Sequence, residues 1–202
     1  MTAPRVYLLD DDEAVVIGLR RLLTASGFAV EAFTSVATFL GRASHDGPAC
    51  LVVDLRMPEA SGLEVQAMLG QDSTVAVVFL TGFGDVATSV RAMKFGAVDF
   101  LTKPVDAVDL IAAVQRALER SDTVRTRALE RDAVAARVAQ LTPREREVCA
   151  LVIEGRLNKQ IASEFGTTEK TVKVHRSRVM QKLGVGSVAE LARIMERTAA
   201  LS

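Results

Sequence analysis

Cysteine is scarce: only Cys50 and Cys149 occur among 202 residues, far apart and each flanked by apolar neighbours. A disulfide-stapled scaffold is thereby excluded, and both residues read as buried packing thiols of a reducing compartment. No apolar run approaches the ~18 residues needed for a membrane span. The opening segment MTAPRVYLL carries no secretory core, so the expectation is a cytoplasmic chain with no membrane partner. Tandem repeats and low-complexity tracts are absent. The phosphate-cradling pattern G-x-x-x-x-G-K-[ST] is missing too, which argues against direct ATP hydrolysis.

Net charge is also lacking, with 25 cations balancing 25 anions. The balance is not uniform. Residues 1–119 hold nine Lys and Arg against 15 Asp and Glu, whereas residues 120–202 hold 16 against ten, giving halves of −6 and +6. Such asymmetry suggests an acidic module joined to one suited to a polyanion. With 49% hydrophobic residues, each half has enough apolar material for a core.

Five short runs rich in Val, Leu, Ile and Phe punctuate the acidic half: RVYLL (5–9), FAVEAF (28–33), CLVVDL (50–55), VAVVFLT (75–81) and DFLTK (99–103). Helix-period segments lie between them, such as AVVIGLRRLLTASG, whose final Gly27 suits a helix C-cap. Near-continuous apolar strands alternating with helices predict a doubly wound, five-stranded parallel sheet, an α/β fold covered on both faces. Ligand chemistry in such sheets gathers at the C-terminal strand ends.

From Val105 to Thr142 there are 38 residues without Gly or Pro. The first part, with Val108, Ile111, Val114 or Gln115, and Leu118, is expected to cover the sheet, and the Arg- and Ala-rich remainder to form a mostly solvated helical linker. At LTPREREVCALVIEG the pattern changes: Thr142 is a helix cap, Pro143 fits the first turn, Glu145 completes a capping box and Gly155 closes the helix. LNKQIASEFG, TTEKTVKVHRSRVMQKLG and SVAELARIMERTAA follow, so a small all-α, four-helix domain is predicted. The boundaries expected are 1–120, a helical linker at 121–137, and 138–202.

In the predicted sheet Asp10 and Asp11 lie at the end of the first strand, Asp54 near the end of the third, Thr81 at the end of the fourth and Lys103 at that of the fifth. Carboxylates about 4 Å apart repel by ~4 kcal/mol at an effective dielectric of 20, so crowding them invites a cation. Magnesium takes oxygen ligands and retains positions for water and phosphate. One carboxylate can serve as nucleophile, with a lysine neutralising the transferred group, and Asp54 is best placed for that. The acids Asp12 and Glu13 need only be favourable charges at a helix start.

LLDDDE, VVDLRMPEASG, FLTGFGD and GAVDFLTKP, in that order, resemble the receiver domain of two-component response regulators. The resemblance implies that Asp54 accepts phosphate from the phosphohistidine of a sensor histidine kinase, and that Asp10, Asp11, Asp54 and the backbone carbonyl of Arg56 hold magnesium. It implies further that Thr81 and Lys103 bind the phosphoryl group, that Phe100 is a switch aromatic, and that the Lys103–Pro104 peptide is cis. Val105 stands where Phe is frequent and Ala60 where Met or Leu is usual; both bear on packing and partner choice. GFGDVA (82–87) also satisfies a dinucleotide fingerprint. It sits on the fourth strand instead of the first, with Asp85 where a pyrophosphate would bind, which disfavours that reading.

Between Arg156 and Lys182 lie seven Lys or Arg and only two acids, across a short helix, a turn at Gly166 and a longer helix capped by Thr168. That arrangement suits a helix-turn-helix. Residues 138–200 closely resemble the LuxR-type DNA-binding domain, and the joined chain resembles the FixJ and NarL group. Carried over, Lys173, Val174 and Ser177 reach base edges, while Lys159, Thr168, Lys170, Thr171, Arg176 and Arg178 hold phosphates. The expected partners are a sensor kinase, double-stranded promoter DNA, RNA polymerase and a second copy of the chain. The dimer would form on phosphorylation through the fifth strand and a helix at about 85–95. The competing reading is a constitutive interaction module whose acid cleft never takes phosphate.

Overall fold

In the computed structural model the described residues are 2–70, 73–82 and 96–199. They form two compact units, 1–126 and 127–202. Among the described residues of the first, five strands, β1 (Arg5–Leu9), β2 (Ala29–Phe33), β3 (Ala49–Asp54), β4 (Val75–Thr81) and β5 (Asp99–Thr102), make one sheet in the order β2-β1-β3-β4-β5. Every pairing is parallel, as continuous apolar strands predict.

Side chains of a strand alternate between faces, and both faces here are buried. Tyr7, Leu9, Leu51, Val53, Val77 and Phe79 join one core with helices α2 (Val36–Leu40) and α3 (Gly62–Leu69). Val6, Leu8, Cys50, Val52, Val78 and Leu80 join the other with helix α1 (Glu13–Ala25) and the first half of α4 (Ala107–Ala139). Asp12 caps α1 by accepting from the N–H groups of Ala14 and Val15. Cys50 and Cys149 are free and buried, and burial pushes both thiols above their ordinary pKa, which makes them unreactive.

Two expectations for α4 need correction. Its buried face is Leu110, Ala113, Val114 and Ala117, and Val108 is 73% exposed. The spacing i, i+3, i+4, i+7 is that of a helix stripe, but two of its four members are alanines, whose small side chains bring the helix close to the sheet. Nor is the start of the expected linker solvated. Ser121 is 1% exposed, and α4 is a single helix of 33 residues. The helix expected at 85–95 and most of the GFGDVA segment lie outside the described residues.

The second unit contains the predicted helices α5 (Pro143–Ile153), α6 (Asn158–Glu164), α7 (Glu169–Leu183) and α8 (Val188–Ala199). Leu141, Val148, Val152, Ile161, Val172, Val179, Leu183 and Leu191 form its core. Thr142 and Glu145 make the capping box of α5, and Thr168 caps α7 by accepting from Thr171 N–H at 3.2 Å. Gly166 adopts φ +61°, a left-handed conformation at the turn between α6 and α7 that glycine adopts at least cost. No helix among the described residues is long and apolar enough to cross a membrane.

Candidate functional site

The strand ends β1, β3, β4 and β5 converge because parallel pairing sets Leu9 beside Val53, Asp54 beside Leu80, and Thr81 beside Thr102. One step beyond these registers, the sheet delivers Asp10, Asp54, Thr81 and Lys103 to one edge. The two aspartates are only 3% and 6% exposed, and Thr81 is buried with them. Lys103 Nζ lies 2.5 Å from Asp10 Oδ2 and 2.6 Å from Asp54 Oδ1, so one ammonium bridges two carboxylates that come from separate strands. The other Asp54 oxygen, Oδ2, accepts from the Arg56 N–H at 2.7 Å, and Asp10 Oδ1 accepts from the Asp12 N–H at 3.0 Å.

Backbone geometry fixes this cleft. Leu55 N–H donates to Leu80 O, Gly62 N–H to Leu55 O and Lys103 N–H to Thr81 O, which ties the loop after Asp54 to the neighbouring strands. A side chain at Gly62 would come within 2.6 Å of the Asp54 carbonyl oxygen, so α3 sits this close to the Asp54 backbone only as glycine. Glu59 fastens the same loop by accepting from the N–H groups of Val36 and Ala37 at the start of α2. The Lys103–Pro104 peptide is cis.

Electrostatics follow from burial. Desolvation raises the Asp10 pKa above the ordinary aspartate value, against the bonds from Lys103 and the Asp12 N–H. Burial acts on Lys103 in the opposite sense and would lower its pKa. Its bonds and attraction to Asp10 and Asp54 together outweigh that effect, so the ammonium is held in its charged form.

Asp11, expected beside Asp10, is exposed, and among the described residues no three acidic, imidazole or thiol side chains already converge on one point. What does converge is a pair of buried carboxylates on one positive charge. Hard oxygen donors of this kind suit magnesium, which needs only one or two carboxylates from a protein. Thr81 Oγ1 donates to Gly82 O at 3.2 Å. Phe100 is half-buried against Phe79, ring centroids 5.4 Å apart.

In the second unit Lys159, Thr168, Lys170, Lys173, Val174, Ser177 and Arg178 are exposed, Thr171 and Arg176 partly so. Val172, Val179 and Leu183 face inward, so the basic and hydroxyl residues of α7 share its outer surface. Arg176 donates to Asn158 Oδ1 at 3.3 Å, a link between α6 and α7 that spacing alone does not disclose. Lys182, one of the seven cations in the run, is half-buried and engaged within its own unit. It bridges Glu145 Oε2 at 2.6 Å and Gln140 O at 3.1 Å.

Those bonds carry a pH dependence. Lys182, and next the Thr142 N–H, hold the Glu145 carboxyl at about 2, well below its ordinary 4.5. A depressed folded-state pKa contributes stability above the unfolded value that is lost as pH falls through the folded one. Glu145→Gln is therefore expected to lower the melting temperature at neutral pH, and the gap from wild type to close between pH 4.5 and about 2. Paired thermal melts check this; a gap that stays constant with pH contradicts it.

A doubly wound sheet with a lysine-bridged acid cleft, followed by a helix-turn-helix with a basic outer helix, defines a signalling module joined to a nucleic-acid-binding one. Residues 6–115 match the response regulator receiver domain, and residues 139–195 match the bacterial regulatory proteins of the luxR family. The chain is 46% identical over 195 residues to the tetrathionate response regulatory protein TtrR of Salmonella typhimurium strain LT2, covering 96% of this chain and 93% of that one. It is 43% identical over 190 residues to the transcriptional regulatory protein FixJ of Azorhizobium caulinodans, covering 94% and 90%. Among solved structures, the response regulator StyR matches with a TM-score of 0.86 and 42% identity, over 96% of this chain and 99% of that one. The chain belongs to the two-component response regulators that pair a receiver domain with a LuxR-type DNA-binding domain. Its place in the FixJ group, read from the ordered motifs, agrees with these matches.

Proposed function

We propose that Asp54 is the phosphoacceptor, and that its phosphorylation by a sensor histidine kinase controls dimerisation and promoter binding. The observation that carries this is the Lys103 ammonium bridging Asp10 and Asp54. It pairs one Asp54 oxygen at the open edge of the sheet while the Arg56 N–H orients the other. Asp54 attacks the phosphorus of a phosphohistidine; the new O–P bond forms as the N–P bond breaks, and the imidazole leaves with the bonding pair. Asp10, Asp11, Asp54 and the Arg56 carbonyl would hold magnesium, which would supply positive charge to neutralise the transferred group.

The product adds about −1.5 to −2 charges to the cleft. Lys103 turns from the Asp54 carboxylate to the phosphoryl oxygens, and the Thr81 hydroxyl gives up Gly82 O to donate to the same group. Phe100, beside Phe79 on the adjoining strand and two positions before the partner of Thr81, fills the space that Thr81 leaves. The altered surface around β5 pairs two chains, and their α7 helices then read two half-sites, an arrangement that recruits RNA polymerase in the cytoplasm. Residues 1–120 form the receiver, 121–137 the linker and 138–202 the DNA-binding domain.

Lys173, Val174 and Ser177 of α7 reach base edges, and Lys159 of α6, the α7 cap Thr168, and Lys170, Thr171, Arg176 and Arg178 of α7 hold phosphates. Phosphate contacts release counterions, so affinity for a promoter fragment falls linearly in log–log form with salt, by about 0.9 per neutralised phosphate. Removing Lys170 and Arg178 together is expected to flatten that slope by nearly two. A salt-independent affinity, or an unchanged slope, contradicts the phosphate assignments.

A further inference from the structure

The buried hydroxyl of Ser121 has no part in the cleft or in DNA contact, and the sequence placed it in a solvated linker. A serine inside a helix ordinarily bonds its own preceding turn. Here Oγ turns outward instead, donating to Thr74 O at 2.5 Å and accepting from Ala49 N–H at 2.9 Å. Ala49 begins β3 and Thr74 directly precedes β4. The strands held are the two whose opposite ends carry Asp54 and Thr81. One turn on, Arg125 donates to Asp46 O at 3.3 Å and pairs with Asp122 at 3.4 Å, so positions i and i+4 of one helix face grip residues 46–49.

We propose that Ser121 is a positioning residue, a pin that makes α4 part of the receiver as far as Arg125, and that phosphorylation-dependent DNA binding requires it. The inference rests on Asp54 as phosphoacceptor. A hydroxyl is the smallest side-chain group that both donates and accepts, and its removal strands a buried N–H and a carbonyl, a penalty larger than the value of the bonds themselves. Sliding or rolling of α4 on the sheet breaks both bonds at once. The helix that leads to the DNA-binding domain is therefore fastened to β3 and β4, so a displacement of those strands at the phosphorylated end acts on a seated helix and not on a loose tether.

The test uses the full chain as wild type, Ser121→Ala, Ser121→Thr and Arg125→Ala. Phosphate uptake from a small acyl phosphate with magnesium is measured by intact mass, and DNA affinity is measured before and after. Ser121→Ala is expected to take up phosphate as wild type does and to lose most of the phosphorylation-dependent gain in affinity, and Ser121→Thr to keep that gain. Amide exchange at Ala49, slow in wild type, is expected to accelerate in Ser121→Ala. A Ser121→Ala chain with the full gain overturns the proposal. If that chain does not fold, Arg125→Ala decides: a reduced gain supports the pin and a full gain overturns it. Failure of wild type itself to take up phosphate overturns the Asp54 reading, and the pin then stands or falls on exchange at Ala49.

Discussion

Replacement of Asp54 by asparagine is expected to abolish phosphate uptake completely. The amide has nearly the volume of the carboxylate, and its oxygen can still accept from the Arg56 N–H, so the loop geometry survives. What is lost is the nucleophile: a carboxylate oxygen held 2.6 Å from Lys103 Nζ becomes part of a neutral amide. Intact mass after incubation with a small acyl phosphate and magnesium gives a direct answer. Wild type gains one phosphoryl group that disappears under mild base, as an acyl phosphate must, and Asp54→Asn gains none. Uptake by the variant would move the acceptor to Asp10 or Asp11.

Lys103→Ala is expected to have the second largest effect, through two separable consequences. Asp10 and Asp54 lose the charge that compensates their burial, and removing one partner of a buried ion pair costs about 3–5 kcal/mol. Here the ammonium is 26% exposed and water takes its place, so about 1–3 kcal/mol is the appropriate scale. The loss falls on the receiver alone. It is largest where Asp10 is ionised and shrinks as pH falls through its raised folded-state pKa. Magnesium is expected to restore more stability to this variant than it adds to wild type, because a divalent ion supplies the missing charge. The second consequence is functional: a chain without Lys103 accepts phosphate at Asp54 but shows little gain in DNA affinity. Melting curves with and without magnesium test the first, and DNA titrations of the phosphorylated variant test the second. Equal magnesium effects on both chains would show that the carboxylates do not share a cation site.

Much of this architecture was legible because strong local signals agreed with tertiary need. RVYLL, CLVVDL and VAVVFLT read as buried strands and are buried on both faces, since each of their apolar residues meets one helix layer or the other. The Thr142 to Glu145 capping box depends only on residues three apart, and it formed as read. Errors arose where a position's role depends on distant chain. Alanines carry little hydrophobic signal, so the expected sheet-facing stripe of α4 took in Val108 and Ile111 beside Val114 and Leu118 and left out Leu110, Ala113 and Ala117. Ser121 resembles any linker serine until Ala49 and Thr74 are brought to it. Lys182 reads as one more cation of a basic helix, yet its partner Glu145 is 37 residues earlier. In the acidic run Asp10 and Asp11 look alike; the end of β1 buries the first and exposes the second.

The central claim is that one chemical event at Asp54 changes the behaviour of α7 on DNA. The most direct measurement follows DNA affinity and intact mass in the same sample as a small acyl phosphate is added to the full-length chain with magnesium. The account predicts that affinity rises in step with the phosphorylated fraction and returns as the acyl phosphate hydrolyses. Full phosphorylation with unchanged affinity, or an equal rise in Asp54→Asn, would contradict it.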